Sequence, residues 1–348
     1  MSALASGPET KVAIIGTTTW GTTLGIVLAR RDVPVTLWAR TAGEAETLAR
    51  DRQNVLRLPD YNFPPAMRVT ASAEEALAGA GIVLFAVPSR SLRENVRAVR
   101  ERLDDSMLIV SATKGLERDT AKRMSQVLAE ELTEGMRRNI CVLSGPNLAR
   151  EIVDGHPAST VVAAADEPTA ARVVKVVMSP LFRAYTNTDV IGVELGGALK
   201  NVVAIGAGMS DGLGFGDNAK AAFINRGLVE ITRLGVAAGA RPLTFAGLAC
   251  LGDLIATCSS RLSRNYYVGE QLAKGRPLKA ILESMRNVAE GVDTTVAALR
   301  MAADLGVEMP ITTYTHKVLF EGMEPEQAVT ELMARSPKSE WEGVAERG

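Results

Sequence analysis

The sequence predicts an α/β fold in which an N-terminal Rossmann-type doubly wound sheet is followed by an all-α C-terminal domain. Three observations predict it. Short runs rich in Val, Ile and Leu alternate with amphipathic stretches through the first half; one of these runs enters a glycine-punctuated turn near the start; and from about residue 190 the pattern turns almost wholly helical. At 348 residues the chain exceeds one ordinary small domain. The expected division is a dinucleotide-binding Rossmann domain over 1–189 and a helical substrate-binding domain over 190–348.

Runs 12–15, 34–38, 81–87, 107–111 and 140–143 read as buried strands, and 161–165 and 183–185 as two further ones. Between them, 91–103 and 120–132 carry apolar residues at helical spacing, the alternation of a parallel sheet with crossover helices. In the second half, 190–207, 219–238, 291–305 and 324–334 have helical periodicity, with Gly and Pro marking the gaps. No internal repeat or low-complexity tract interrupts this order.

Hydrophobic residues make up 47% and charged residues 23%, enough apolar material for a sizeable core. With 39 basic against 40 acidic residues the formal charge is −1, and no dense Lys/Arg run appears, so neither a nucleic-acid nor an anionic-membrane partner is expected. Cys141, Cys250 and Cys258 are odd in number and lack metal-ligand spacing, so they read as buried thiols of a reducing compartment. His156 and His316 stand in no base or metal constellation. The N-terminal MSALASGPET has no basic region followed by an apolar stretch, and no run of about 18 apolar residues offers a membrane span. A cytoplasmic location is the expectation.

The stretch VAIIGTTTWGTTLG, beginning at Val12, carries the nucleotide turn. In a G-x-G-x-x-G turn the first glycine makes the bend, the second lets the backbone approach pyrophosphate, and the third lets helix and strand pack closely. Gly16 and Gly21 hold the first and third places, but Thr18 holds the second. If Thr18 needs no positive φ, the helix N-terminus still presents its amides to phosphate, and the threonine hydroxyl is a further donor. An ordinary strand-to-helix turn has the same appearance. The second strand ends in VTLWAR, where an acidic residue would bind a ribose 2′-hydroxyl; Arg40 suits a 2′-phosphate instead, so NADP(H) is expected beside NAD(H). A solvated surface arginine is the plain alternative.

The stretch ELGGALKNVVAIGAGMSDGLGFGDNAK places Lys200 on a mostly apolar helix, where a charged head reaches a cleft or snorkels to the surface. A partly desolvated lysine there has a lowered pKa and can protonate a carbonyl oxygen. Asn201 beside it offers a donor and an acceptor. In LGDLIATCSSRLSRN, Asp253 and Thr257 share a helical face and can orient the lysine, while Ser263, Arg264 and Asn265 suit a phosphate dianion. Capping and surface pairing explain either cluster separately; together with a nucleotide domain they suggest a phosphorylated carbonyl substrate.

The stretches LWAR, ATKGLE, LSGPN, the run 194–222, LGDLIATC, SRN, VAEGV and MPI with VLFEG occur in the order found in NAD(P)-dependent glycerol-3-phosphate dehydrogenases, which the chain resembles from about 12 to 340. The resemblance implies Lys200 as proton donor and acceptor, Lys114 and Asn201 near the substrate, and Asp253 supporting the lysine. It implies Gly145 and Asn147 at the substrate phosphate, Ala149 near the cofactor, and Ser263, Arg264 and Asn265 gripping glycerol phosphate, with Arg264 bridging to the cofactor. On the nucleotide side it implies Thr19, Trp20, Arg40 and Lys114, with Val288 and Glu290 closing over. It further implies dihydroxyacetone phosphate as substrate, a product for glycerophospholipid synthesis, and a homodimer.

Other readings remain open for single residues. Trp20 suits a packed core, Lys114 a surface, Glu290 a helix start, and 206–216 a flexible connection. The chain departs from the family at Thr18, near Thr19, at Tyr266 and Tyr267 where many members have a basic pair, and at Asn147 where many bacterial members have serine. Two rival functions fit the same halves: a hydroxyacid or ketopantoate-type dehydrogenase preferring a carboxylate substrate, and a catalytically silent nucleotide sensor.

Overall fold

The computed structural model describes residues 10–285, 288–340 and 343–344. An eight-stranded sheet forms from β1 (Lys11–Ile15), β2 (Val35–Trp38), β5 (Met67–Thr70), β6 (Ala80–Phe85), β7 (Leu108–Ser111), β8 (Ile140–Ser144), β9 (Ala158–Ala164) and β10 (Phe182–Asn187). A separate hairpin joins β3 (Gln53–Asn54) to β4 (Leu58–Asn62). The sheet order is β10-β9-β8-β7-β6-β1-β2-β5. Winding runs outward from β1 through β2 to β5, then returns across β1 to β6, so the topological switch lies between β1 and β6. Ligands bind at such a switch, outside the carboxyl ends of the strands.

The apolar strands alternate between two cores. Val12, Ile14, Leu37 and Leu84 pack on one face, whereas Ala13, Ile15, Trp38 and Phe85 pack on the other. Two-sided burial is why these strands read as continuous apolar runs. One expectation needs correction: the sheet is not wholly parallel, because β8 and β9 pair antiparallel, Cys141 facing Ala164 and Ser144 facing Val161. The link between them holds only the short helix Ala149–Val153, too little for a parallel crossover.

From Val190 the chain is helical. The central helix Val190–Gly212 is ringed by Gly216–Ala237, Asp253–Ser259, Arg264–Ala273 and Glu290–Leu305. Among the described helices only Val190–Gly212 is long and apolar enough to cross a membrane, and 89% of its apolar window is buried inside the fold. Its apolarity serves the core. The glycine-rich 206–216 is not a flexible connection: the helix continues to Gly212 and the next begins at Gly216. Val142, Val161 and Ala163 of the sheet pack against Val193 and Ala249 of the helical half. That apolar seam seats the Lys200 helix beside the sheet.

Candidate active site

A cleft of about 950 Å³ opens where β1, β2, β6 and β7 end and the helical half begins. Gly16, Thr18, Thr19, Trp20, Arg40, Lys114, Asn147, Ala149, Lys200 and Asn201 all line it. So do Asp253, Thr257, Ser263, Arg264, Asn265, Val288 and Glu290. Gly21 and Gly145 stand behind its wall. Sequence reasoning missed Arg57, Arg90 and Arg150, which also line it; each lies in a turn or short helix without apolar periodicity, so only the folded chain brings them in.

At the nucleotide end, Gly16 adopts φ +116°, and a Cβ there would fall 2.6 Å from Val87 and 2.7 Å from the Ala86 carbonyl. Only glycine makes this bend. A Cβ on Gly21 would lie 2.2 Å from the Gly16 oxygen, which explains the third glycine as a packing requirement. Thr18 is extended at φ −66° and ψ 166°, a region open to any residue, and it caps the helix Thr19–Ala29. Its hydroxyl donates to the Ala86 carbonyl at 2.6 Å and accepts from the Gly21 amide at 3.1 Å. The hydroxyl is therefore committed to the protein rather than offered to a phosphate, which corrects the expectation of a further donor. The amides of Thr19 and Trp20 lie in the first turn, without intrahelical acceptors.

Trp20 packs edge-on against Phe182 at 6.5 Å, and its buried indole N–H has no acceptor among the described residues. Arg40 sits on the cleft rim with Glu94 at 3.5 Å, both ends of the pair exposed. Among the described residues, cations outnumber carboxylates on the wall seven to four. Together the helix-terminal amides and this charge excess fit a phosphorylated dinucleotide.

At the other end Lys200 and Asp253 are 6% and 2% exposed. Lys200 Nζ donates to Asp253 Oδ1 at 2.8 Å and to Thr257 Oγ1 at 2.5 Å. Thr257 in turn donates to Asp253 Oδ1 at 3.1 Å, one helical turn away as its spacing requires. Lys114 Nζ donates to Asp253 Oδ2 at 2.6 Å and to the Gly145 carbonyl at 2.7 Å. A π-helical turn, Leu248–Gly252, runs directly into Asp253–Ser259 and delivers the carboxylate to both lysines. Burial pushes the Lys200 ammonium down to about 8, with Asp253 opposing the shift and Lys114 adding to it. For Asp253 burial acts upward, but the two ammonium groups outweigh it and hold the carboxyl below its ordinary range.

Several expected phosphate ligands have partners inside the protein. Gly145 serves through its carbonyl, holding Lys114. Asn147 donates to the Ser159 carbonyl at 3.2 Å and accepts from Thr160 at 3.1 Å, leaving one N–H. Ser263 caps Arg264–Ala273, its Oγ accepting from the Tyr266 amide. Asn265 accepts from the Gly291 amide at 2.9 Å and donates to Asn201 at 2.8 Å. Glu290 is both a helix start and a cross-cleft contact, accepting from the Ser89 amide at 3.2 Å and hydroxyl at 2.5 Å. Tyr266, one of the two tyrosines that depart from the family, donates to Asp211 at 2.6 Å, away from the cleft wall.

Residues 11–170 match the family described as NAD-dependent glycerol-3-phosphate dehydrogenase N-terminus, and 189–330 match its C-terminus. The chain belongs to this family. A glycerol-3-phosphate dehydrogenase of Dehalococcoides mccartyi (strain 195), named for NAD(P)+, is 57% identical over 96% of this chain and 93% of its own length. A solved glycerol-3-phosphate dehydrogenase from Coxiella burnetii superposes with TM-score 0.89 at 34% identity, covering 94% of this chain and 99% of that one. A ketopantoate reductase from Ralstonia eutropha gives TM-score 0.57 at 16% identity over 92% and 100%, a likeness of fold alone. Membership of the dehydrogenase family thus favours neither the ketopantoate-type reading nor the silent sensor. His156 and His316 lie off the cleft wall, as do the three cysteines, all buried and free. Burial pushes the Cys141 and Cys258 thiols up to about 12 and Cys250 higher still, so none is a thiolate near neutral pH.

Proposed function

We propose that the protein interconverts dihydroxyacetone phosphate and sn-glycerol 3-phosphate with NADP(H) or NAD(H), using Lys200 as general acid and base. The observation that carries this reading is a buried lysine, lowered to about 8, fixed by Asp253 and Thr257 on the wall of a cleft that also holds a nucleotide turn. The division of labour places the cofactor on 1–189 and the substrate against 190–348.

When bound, the nicotinamide supplies or accepts the hydride. The protein handles the proton. An ammonium has three N–H donors, and Asp253 and Thr257 take two from Lys200. The third serves the substrate oxygen, donating its proton in reduction and recovering it in oxidation. Lys114 neutralises the second oxygen of Asp253, so the carboxylate stays ionised while it orients Lys200. Arg264, open to the cleft, and the free N–H groups of Asn147 and Asn201 suit the phosphorylated end. Arg40 suits a 2′-phosphate, with Arg57, Arg90 and Arg150 strengthening the anionic preference of the wall. Val288 and Glu290 close the cofactor side, and Thr19, Trp20 and Ala149 border it.

The product is an acyl acceptor for glycerophospholipid synthesis, and the reading includes a cytoplasmic homodimer. The test is oxidation of NADPH and NADH with dihydroxyacetone phosphate, followed by loss of nicotinamide absorbance, in the wild type and in Lys200→Ala. Turnover is expected in the wild type, and the variant should lose about 100- to 10,000-fold while binding NADPH as before. Unchanged turnover in Lys200→Ala overturns the role.

A further inference from the structure

We infer that Glu194 is a positioning residue that acts through Lys114, by pinning the segment 114–125 to the helix that carries Lys200. The inference rests on the proposed roles of Lys200 and Lys114.

The segment follows β7 in the nucleotide-binding half, yet its apolar residues are buried in the other half. Leu116 and Ala121 share a core with Leu195, Ala198 and Leu199 of the helix Val190–Gly212. Between them the chain doubles back: Leu116 bridges to Arg123, the Glu117 amide donates to the Lys122 carbonyl at 2.9 Å, and Ala121 takes a φ of +56°. A left-handed conformation is costly for alanine and persists only where the surroundings hold it. Arg123 therefore stands opposite Leu116, two residues after Lys114. Whatever fixes Arg123 also fixes the approach of Lys114 to Asp253 and the Gly145 carbonyl.

Glu194 supplies that fixing. Its carboxylate, 7% exposed, accepts from the Ser125 amide at 2.7 Å, the Ser125 hydroxyl at 2.5 Å and the Arg123 guanidinium at 2.6 Å. Ser125 lies in the first turn of the helix Met124–Glu131, so a carboxylate of the helical half receives an end amide of the other half. Arg93 grips Glu117 from the nucleotide-binding half with two bonds of 2.8 Å, so the segment is held to both halves. Lys114 lines the cleft, but Glu194, Arg123 and Ser125 are not on its wall. Glu194 thus reaches the reacting groups only through this segment or along its own helix, where Lys200 stands about 9 Å further on. A buried ion pair is a poor source of stability, since apolar side chains join two surfaces at least as well. What three converging donors add is direction.

The test is a double-mutant cycle of Glu194→Gln and Lys114→Ala in the full-length enzyme, read as kcat/KM for dihydroxyacetone phosphate at saturating NADPH. Glu194→Gln should lower it about 10- to 100-fold, the cost of a misplaced group. In the Lys114→Ala background the same change should cost less than about twofold. A pH profile of reduction gives the second readout. Lys200 is faced by Asp253, Cys258 and Cys250, by Lys114, and across the cleft by Arg264 and Glu290, while Lys220 is paired with Asp211. Of these only Lys114 should move, and its withdrawal removes a neighbouring ammonium, so the reduction limb should shift upward by about one pH unit. Loss of the Glu194 charge itself acts the other way, which makes the direction decisive. A loss that persists undiminished in Lys114→Ala, or a limb that stays or moves downward, would overturn the inference. If Glu194→Gln does not fold, Ser125→Ala decides by the same cycle, since it removes one donor and keeps the ion pair: about a threefold loss that vanishes in Lys114→Ala is expected, and no loss, or one that persists there, overturns it. Absence of wild-type turnover would refute the proposed function, and the inference would fall with it.

Discussion

Asp253→Asn tests how the site sets its own pH range. In the wild type, reduction requires the Lys200 ammonium and oxidation requires the free amine. With Lys200 near 8, reduction should fall as pH rises through about 8, and oxidation should rise through the same interval. Asp253 opposes the burial that lowers this value, from 2.8 Å. An opposite charge at such range is worth about 1–3 pKa units. Its replacement by a neutral amide of the same shape leaves burial and Lys114 both acting downward.

A two-unit fall would leave about 3% of Lys200 protonated at pH 7.5, against roughly three-quarters in the wild type. Reduction at that pH should therefore drop about 25-fold from protonation alone. The assay is kcat/KM for dihydroxyacetone phosphate across pH 5–10, by nicotinamide absorbance, in both directions. The variant's reduction limb should move to lower pH, and oxidation should reach its plateau earlier. Removing one charge from a buried cluster should also lower unfolding temperature, since such a loss costs about 3–5 kcal/mol. A reduction limb that keeps its midpoint near 8 in Asp253→Asn would refute the claim that this carboxylate governs the lysine's proton.

Other residues give independent checks. Thr18→Val keeps the branched shape but removes the hydroxyl, leaving the Ala86 carbonyl and Gly21 amide without their partner; stability should fall by about 1–2 kcal/mol in urea unfolding, with NADPH affinity within about threefold. A large loss of NADPH affinity would mean that the hydroxyl does reach phosphate. Arg40→Ala should raise KM for NADPH about tenfold and leave NADH nearly unchanged, because only the former carries a 2′-phosphate. Its pair with exposed Glu94 should contribute almost nothing to stability, so the unfolding midpoint should not move. Gly291→Ala should raise KM for dihydroxyacetone phosphate more than for NADPH, since its Cβ meets Asn201 and Asn265 rather than the nucleotide turn.

The strands that could be read from sequence are those buried on both faces, where apolar runs are continuous. The ones missed, β3, β4 and β5, are short and partly polar: in LPDYN only Leu58 is buried, and the strand contains Pro59. Antiparallel β9 was legible as a strand but not in direction, because direction is decided by the length of the connection rather than by the strand's own residues. The helix through 206–212 was obscured by its glycines, whose small size serves close helix packing instead of a turn. In the site, Lys200, Asp253 and Thr257 were legible because charge on an apolar helix and spacing of four residues both survive in one dimension. The cleft arginines were not, since Arg57, Arg90 and Arg150 converge only through the winding of three separate connections. Thr18 misled because a hydroxyl's direction depends on what stands opposite, and Ala86 is 68 residues away.

The electrostatic design of the buried cluster also bears on the substrate. Lys114, Asp253 and Lys200 share one carboxylate between two ammonium groups, so the cluster carries a net positive charge in a region where Lys200 and Asp253 are nearly solvent-free. Burying an uncompensated charge is unfavourable, and stability alone would favour one lysine or a second carboxylate. The imbalance is useful only to a molecule that brings negative charge. Arg264 and Glu290, also on the cleft wall, oppose each other in charge and leave this excess as it is. A phosphorylated carbonyl supplies the missing charge and, in the same act, places an oxygen where developing negative charge meets the Lys200 proton. An uncharged triose has the carbonyl without the dianion. Dihydroxyacetone should therefore be reduced with kcat/KM lower than its phosphate by at least about 100-fold, and added inorganic phosphite should recover part of the loss by filling the same deficit. Equal turnover of the two, with no effect of phosphite, would show that the cluster's charge has another purpose.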